Sequence, residues 1–258
     1  MLLIFIIGLV VGSFLNVCLY RLPRGESIVF PASRCPNCQH QLHFWDLIPV
    51  LSYLVLRGRC RYCGQQISWR YPMVEIITAL LFGLIAAKFL GQPLVIIGGF
   101  FFAGLAIVAF FIDLDFMVIP DSVSVTGIFG GLVYNYLRAI SANNHADFVA
   151  AIIGLLVGGG LLYLIGLVGK WLCKKEALGE GDLYLGAMLG AFLGWPNIIL
   201  AIFLAYLIAG VFVGGLLLSR KVQMGSYVPF GPALVAGGII TFLFGQEIMI
   251  WYLSLMVG

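Results

Sequence analysis

Eight strongly apolar runs, at about 1–20, 72–91, 94–112, 121–138, 148–170, 183–195, 197–219 and 231–256, leave this chain few folds to choose from. About 20 apolar residues suffice to cross the hydrocarbon core of a bilayer. In lipid every backbone N–H and C=O must be satisfied within the segment, so each run is expected to be a helix. Only 10% of the residues are charged, against roughly a quarter in soluble globular domains. The predicted fold is therefore an all-α polytopic membrane protein with about eight transmembrane helices. A net charge of +3 gives no reason to expect nucleic acid as a partner; the lipid bilayer is the expected one.

The first run, 1–20, has no positive charge before it and no small-residue cleavage site after it. It reads as a retained span with its N-terminus outside rather than as a cleaved signal peptide. The 21–72 stretch that follows is the long polar insertion and carries Arg21, Arg24, Arg34, Arg57, Arg59, Arg61 and Arg70. Placed in the cytoplasm by the positive-inside rule, it fixes the rest by alternation. Lys170, Lys174, Lys175, Arg220 and Lys221 then also lie inside, so 12 of the 14 basic residues are cytoplasmic, with Lys88 and Arg138 the exceptions. Both termini are expected outside. Three regions result: 1–20, a first span; 21–72, a cytoplasmic domain; and 73–258, a seven-helix bundle. Within the cytoplasmic domain, Asp46–Leu56 is apolar but too short to span. It is expected to be a helix lying on the membrane surface, with Asp46 as N-cap and Pro49 in its first turn.

Cys35-Pro-Asn-Cys38 and Cys60-Arg-Tyr-Cys63 are the second constraint. Two Cys-x-x-Cys knuckles supply the four thiolates of a tetrahedral zinc site. Two disulfides or a redox pair are the alternatives, and a cytoplasmic setting disfavours stable disulfides. With four protein ligands such a site has no open position for water and is structural. His40 and His43 are possible substitute ligands, while Cys18 and Cys173 read as small apolar residues.

Acidic residues gather at span ends: Asp113, Asp115 and Asp121 in one cluster, and Gly179-Glu180-Gly181-Asp182 in another. By alternation both face the cytoplasm. Asp121 after Pro120, and Asp182 before the next run, fit helix N-caps. Asp115 lies about 200° around a helix from Asp113, so the two cannot point into one cleft. A functional reading pairs one carboxylate from each cluster. Two aspartates a few ångström apart share a proton and so offer an acid and a base together. Gly179 and Gly181 would let the chain turn sharply and approach a substrate closely. Spacing alone leaves capping and pairing level. Gly186, Gly190 and Gly194 form a small-residue ridge behind Asp182, and Gly210 with Gly214 forms another; such ridges let helices pack closely in lipid.

The ordered motifs tip the balance. Gly179-x-Gly181-Asp182, with the upstream Ile112-Asp113-Leu-Asp115-x-x-x-Ile119-Pro120-Asp121, resembles the prepilin leader peptidases, which are GxGD-type intramembrane aspartyl proteases. The resemblance runs through Gly12-Ser13-Phe14-Leu15-Asn16-Val17, Arg21-Leu22-Pro23, Pro31-x-Ser33-x-Cys35-Pro36-x-Cys38, Cys60-x-x-Cys63, Tyr71-Pro72-x-x-Glu75 and Pro229-Phe230-Gly231-Pro232. One departure is Leu183-Tyr184-Leu185 after Asp182, where the family usually carries a lysine. The resemblance implies a bifunctional enzyme of the bacterial inner membrane that removes the short basic leader of type IV prepilins, or of pseudopilins of type II secretion, after a glycine. The new N-terminal residue, typically phenylalanine, is then methylated from S-adenosylmethionine. By the same resemblance Asp113 and Asp182 are the catalytic pair, with Gly179, Gly181 and Asp121 in support. No nucleotide-binding loop marks a methyl-donor site, and the 21–72 domain together with Glu75 is where one is expected. A proton-coupled transporter is the alternative, since carboxylates among glycine-rich helices also occur there. It would require an acid near mid-bilayer or an internal repeat, and neither is visible.

Overall fold

The computed structural model describes residues 1–173, 178–220 and 227–257. Each of the eight apolar runs is a helix: α1 (Leu2–Arg21), α3 (Arg70–Lys88), α4 (Pro93–Phe116), α5 (Asp121–Ser141), α6 (Ala146–Cys173), α7 (Glu180–Leu193), α8 (Trp195–Leu218) and α9 (Gly231–Val257). The short α2 (Leu51–Val55) lies in the insertion after α1. No strand forms among the described residues, only two isolated β-bridges. The protein is thus an all-α, multi-pass membrane protein.

Six of the helices, α1, α3, α4, α6, α8 and α9, are long and apolar enough to cross a bilayer; the expected eight spans are therefore not all of this kind. α5 is long enough, but Ser122, Ser124, Thr126, Asn135 and Arg138 dilute its apolar character. α7 has only 14 residues, about 21 Å at 1.5 Å per residue, short of a hydrocarbon core of about 30 Å. It is nonetheless deeply packed, with Leu185, Met188 and Leu189 fully buried. Lys174, Lys175 and Lys221, which entered the charge-based topology, lie outside the described residues, as does the side chain of Cys173.

The chain forms two compact units, Met1–Val108 and Ala109–Gly258, divided within α4. The first is built on α1 against α3. Its helices touch backbone to backbone, because a Cβ at Gly8 or Gly12 would strike Ala79 or Glu75 of α3. The second is built around α7, which packs on α5, α6, α8 and α9. The ridge expected from Gly186 and Gly190 is real: a side chain at Gly186 would meet Leu162 and Gly158 of α6, and one at Gly190 would run into the Gly154 carbonyl. The Gly210/Gly214 ridge is not used in this way, since nothing lies within 4 Å of a Cβ at either position. Asn135 of α5 adds a polar clasp. Its amide donates to the carbonyls of Ala191 (2.8 Å) and Phe192 (3.2 Å) near the C-terminal end of α7.

The expected surface helix over Asp46–Leu56 is broken. Phe44–Leu47 is a 3-10 turn, Val50 sits in the left-handed region at φ +59°, and only five residues then form α2. Asp46 is not the N-cap; that position is His43, whose backbone N–H donates back to Asp46 at 3.2 Å. Pro49 ends the first turn of structure rather than entering a helix, because a proline disfavours helical geometry in the residue before it.

Candidate functional site

In the second unit, α4 continues one turn past Asp113 and ends at Phe116. The helix period separates the two carboxylates as expected: Asp113 is 5% exposed, whereas Asp115 is exposed. Asp113 Oδ2 accepts the backbone N–H of Gly231 at 3.0 Å. Gly231 opens α9, and the first N–H groups of a helix have no partner within it. An anionic acceptor is therefore favoured there, by hydrogen bonding and by the helix dipole together. A Cβ at Gly231 would fall 2.6 Å from Asp113 Oδ2, so the bond depends on glycine.

Asp182 occupies the third position of α7, and its Oδ2 accepts the Gly179 N–H at 3.2 Å. Gly179, not Asp182, is the N-cap. Gly179 has φ −75°, an angle open to any residue, so its conformational freedom is not used as expected. Gly181 matters for space instead: a Cβ there would come within 3.1 Å of Ile119 Cβ, so that Ile119 would have to shift by a few tenths of an ångström. Ile119 is buried and also meets Gly231, 3.2 Å from the position of a Cβ there. One side chain thus wedges the loop after α4 between the starts of α7 and α9. Ile119 in this way ties Gly181, next to Asp182, to Gly231, the partner of Asp113.

The other sequence-derived acid takes a different place. Pro120 is the N-cap of α5, and Asp121 is an exposed first-turn residue rather than the cap. Its charge still suits the helix dipole. Asp121→Asn is therefore expected to cost about 0.3–1 kcal/mol of stability, read from thermal melting, and to leave proteolysis unaltered.

Three neighbours of the pair carried no role in the sequence reading. Gly231 was visible only as part of Pro229-Phe230-Gly231-Pro232. Ile119 looked like spacing within the acidic motif. Tyr206 of α8, whose ring centroid lies 4.9 Å from that of Phe230, gave no signal, because an aromatic residue in an apolar helix is unremarkable in isolation.

In the first unit the four knuckle thiols converge, and all four Sγ atoms lie within 4.8 Å of one another. Tetrahedral coordination with Zn–S bonds of about 2.3 Å requires S···S separations of about 3.8 Å; Cys35 and Cys63 are 3.9 Å apart. The donor set fits a metal. The two knuckles are also built alike. Cys35 N–H bonds His40 O and Cys60 N–H bonds Gln65 O; the bridges pair Arg34 with Gln41 and Arg59 with Gln66; and Leu42 N–H meets Ser33 O as Ile67 N–H meets Gly58 O. The Gln65 N–H and the Asn37 amide hold the Cys63 thiol down to about 6, while Cys38 in the same cluster is pushed up to about 11. His40 stacks on Tyr62 with ring centroids 3.7 Å apart, and neither it nor His43 joins the cluster.

Beside the knuckles is a cavity of about 600 Å³, lined by residues from Ser13 to Glu75. Small-molecule sites commonly measure about 300–1,000 Å³. Its charged groups are differently engaged. Arg21 is buried and donates to Ser27 O (2.8 Å) and Pro31 O (2.7 Å). Asp46 pairs with Arg61 at 2.6 Å and accepts the Tyr62 hydroxyl at 3.0 Å. Glu75, on α3, is 7% exposed and accepts the Val50 N–H at 2.8 Å.

Two acidic clusters at helix ends of an all-helical membrane bundle, accompanied by four converging cysteines that could hold a metal ion, suit a class of polytopic membrane enzymes. Comparison with known proteins makes the assignment specific. Residues 6–89 match the family model described as "Bacterial Peptidase A24 N-terminal domain", and residues 100–214 match that of the "Type IV leader peptidase family". A protein of Aeromonas salmonicida named "Prepilin leader peptidase/N-methyltransferase" is 35% identical over 98% of this chain and 93% of its own length. A protein of the same name from Neisseria gonorrhoeae is 35% identical, covering 96% of this chain and 93% of its own. One from Myxococcus xanthus is 42% identical over 86% of this chain and 64% of its own. No solved structure matches. The chain belongs to the type IV leader peptidase family.

Proposed function

We infer that the chain is a prepilin leader peptidase and N-methyltransferase, cutting the basic leader from type IV prepilins or type II pseudopilins and methylating the N-terminus it exposes. One observation carries the peptidase half: the buried Asp113 carboxylate is fixed by the Gly231 N–H, and Ile119 packs against both Gly231 and Gly181, the residue before Asp182. One carboxylate takes a proton from water as it attacks the scissile carbonyl, and the other protonates the carbonyl oxygen. No acyl-enzyme forms, and collapse of the tetrahedral species returns a proton to the leaving amine. The location suits a substrate whose leader is cytoplasmic and whose apolar segment is in lipid. In a bacterial inner membrane with outward termini, both acidic clusters lie at the inner face, as the arginine-rich 21–72 insertion indicates. Nothing in the two units favours a transporter.

The methyl-transfer half is assigned to the cavity beside the knuckles, which is large enough for S-adenosylmethionine. The thiolates of Cys35, Cys38, Cys60 and Cys63 would hold a structural zinc ion, whose contribution is folding energy for the loops that wall this cavity. Cys60→Ser or exhaustive chelation is expected to remove one zinc per chain by elemental analysis, and to lower the melting temperature. A chain that retains full stability without zinc would contradict the structural role. The combined function is tested by incubating detergent-solubilised protein with a prepilin, with and without S-adenosylmethionine. Loss of the leader mass is expected in both cases, and gain of one methyl group only with the donor. An unchanged precursor in both would overturn the reading.

A further inference from the structure

Methylating an N-terminal amine raises a difficulty that the cavity's residues answer. The α-amino group has a pKa of about 7.7–8.0, so at neutral pH most of it is ammonium, with no lone pair to attack a methyl group. A base must take one proton first. Among the carboxylates lining the cavity, Asp46 is committed to Arg61, Tyr62 and the His43 N–H, and Glu26 is exposed. Glu75 differs from both. It is a buried acid on a helix apolar enough to span a bilayer, where an ionisable group is costly and its retention calls for a reason. Its hydrogen-bond partner is uncharged, the Val50 N–H at 2.8 Å.

A clamp is the simpler account of that contact. Glu75 secures Val50, a β-branched residue at φ +59°, which is strained backbone that surrounding contacts must hold. Yet a clamp needs only an oxygen acceptor, and glutamine supplies one. The geometry therefore points to a second use. We propose that Glu75 is the proton acceptor for N-terminal methylation, a proposal that rests on reading this cavity as the methyl-transfer site. One proton passes from the substrate ammonium to a Glu75 oxygen. The freed lone pair forms the N–C bond as the C–S bond of the sulfonium breaks and its electrons return to sulfur. The product leaves as a methylammonium, and Glu75 returns its proton to water. Both uses fit one carboxylate, because the Val50 N–H contact uses one oxygen and leaves acceptor capacity on the carboxylate.

The test uses the full-length enzyme in detergent, with a leader-free peptide starting at phenylalanine for methylation, a prepilin for cleavage, and S-adenosylhomocysteine as the binding probe. Positioned acid–base groups contribute about 10²–10⁴-fold. Glu75→Gln is therefore expected to lower methyl transfer at saturating donor at least a hundredfold, with leader cleavage, melting temperature and probe affinity unchanged. Glu75→Asp should recover part of the rate. Wild-type methylation by Glu75→Gln overturns the proposal. So does a variant whose melting temperature or probe affinity falls along with its methylation, which would make Glu75 a clamp or a binding group. Ser52→Trp, which fills the cavity from α2, tests the underlying reading separately. Undiminished probe binding by that variant would move the donor site elsewhere, whatever Glu75 does.

Discussion

Asp113→Asn and Asp182→Asn are each expected to abolish leader cleavage, with turnover reduced on the order of 10³-fold or more, while both proteins remain folded. Acid–base assistance from one group contributes about 10²–10⁴-fold, and the two carboxylates act as a unit, so the double variant should be little worse than either single one. Asparagine at 113 can still accept the Gly231 N–H, and asparagine at 182 can still accept the Gly179 N–H, because both contacts use a single oxygen. The local backbone is therefore retained and the chemistry alone is lost. Methylation of a leader-free peptide should persist in both variants, since its proposed site lies among residues 13–75. Cleavage by either single variant at the wild-type rate would exclude that residue from the reaction. Loss of methylation along with cleavage would indicate damage beyond the pair.

Gly190→Leu is expected to prevent accumulation of folded protein altogether. α6 and α7 meet backbone to backbone at Gly154 and Gly190, and even a methyl group at 190 would collide with the Gly154 carbonyl. Overpacking of a well-packed core costs about 1–3 kcal/mol, occasionally more, but there the obstruction is usually a side chain that can turn aside. Here it is a helix backbone, and α7 cannot withdraw because α5, α8 and α9 hold its other faces. Gly190→Ala should show the same defect in milder form. Gly214→Ala is the control: it belongs to an equally regular small-residue pattern but has nothing within 4 Å of its Cβ, so it should express and melt like the wild type. The comparison is read from the yield of monodisperse protein in mild detergent. Equal yields for Gly190→Leu and Gly214→Ala would show that the α6–α7 contact is not needed for the fold.

That contrast shows what the sequence can and cannot reveal. Both glycine ridges have the same period, but only the three-dimensional arrangement tells which one has a partner. The helices themselves were legible because lipid leaves the backbone no other choice. Even so, the 14-residue α7 read as an ordinary span, because Gly194 and Trp195-Pro196 mark where it ends but not how deep it sits. The convergence of the paired knuckles was legible from spacing alone. The short helix between them was not, since its continuity depended on Val50, whose left-handed backbone is stabilised by the remote Glu75. At the acidic site, helical period separated Asp113 from Asp115 correctly. The capping assignments failed by one or a few residues for the reason helix boundaries usually do: Pro120 and Gly179 use their backbones where a polar side chain was expected. Gly231 was beyond reach, because it lies 118 residues from its partner in sequence.

Convergence of Asp113 and Asp182 on one reacting carbon is the claim on which the peptidase reading depends, and a non-cleavable ligand tests it without turnover. A prepilin peptide whose scissile carbonyl is replaced by a CH(OH) group places a hydroxyl where the attacked carbon would carry one, and transition-state mimics bind about 10²–10⁸-fold more tightly than substrates. Its affinity for the wild-type enzyme should exceed that of the parent peptide at least a hundredfold. The excess should disappear in Asp113→Asn and in Asp182→Asn alike. Retention of the full excess in either variant would show that only one of the two carboxylates faces the reacting centre, and the paired-carboxylate account would be wrong.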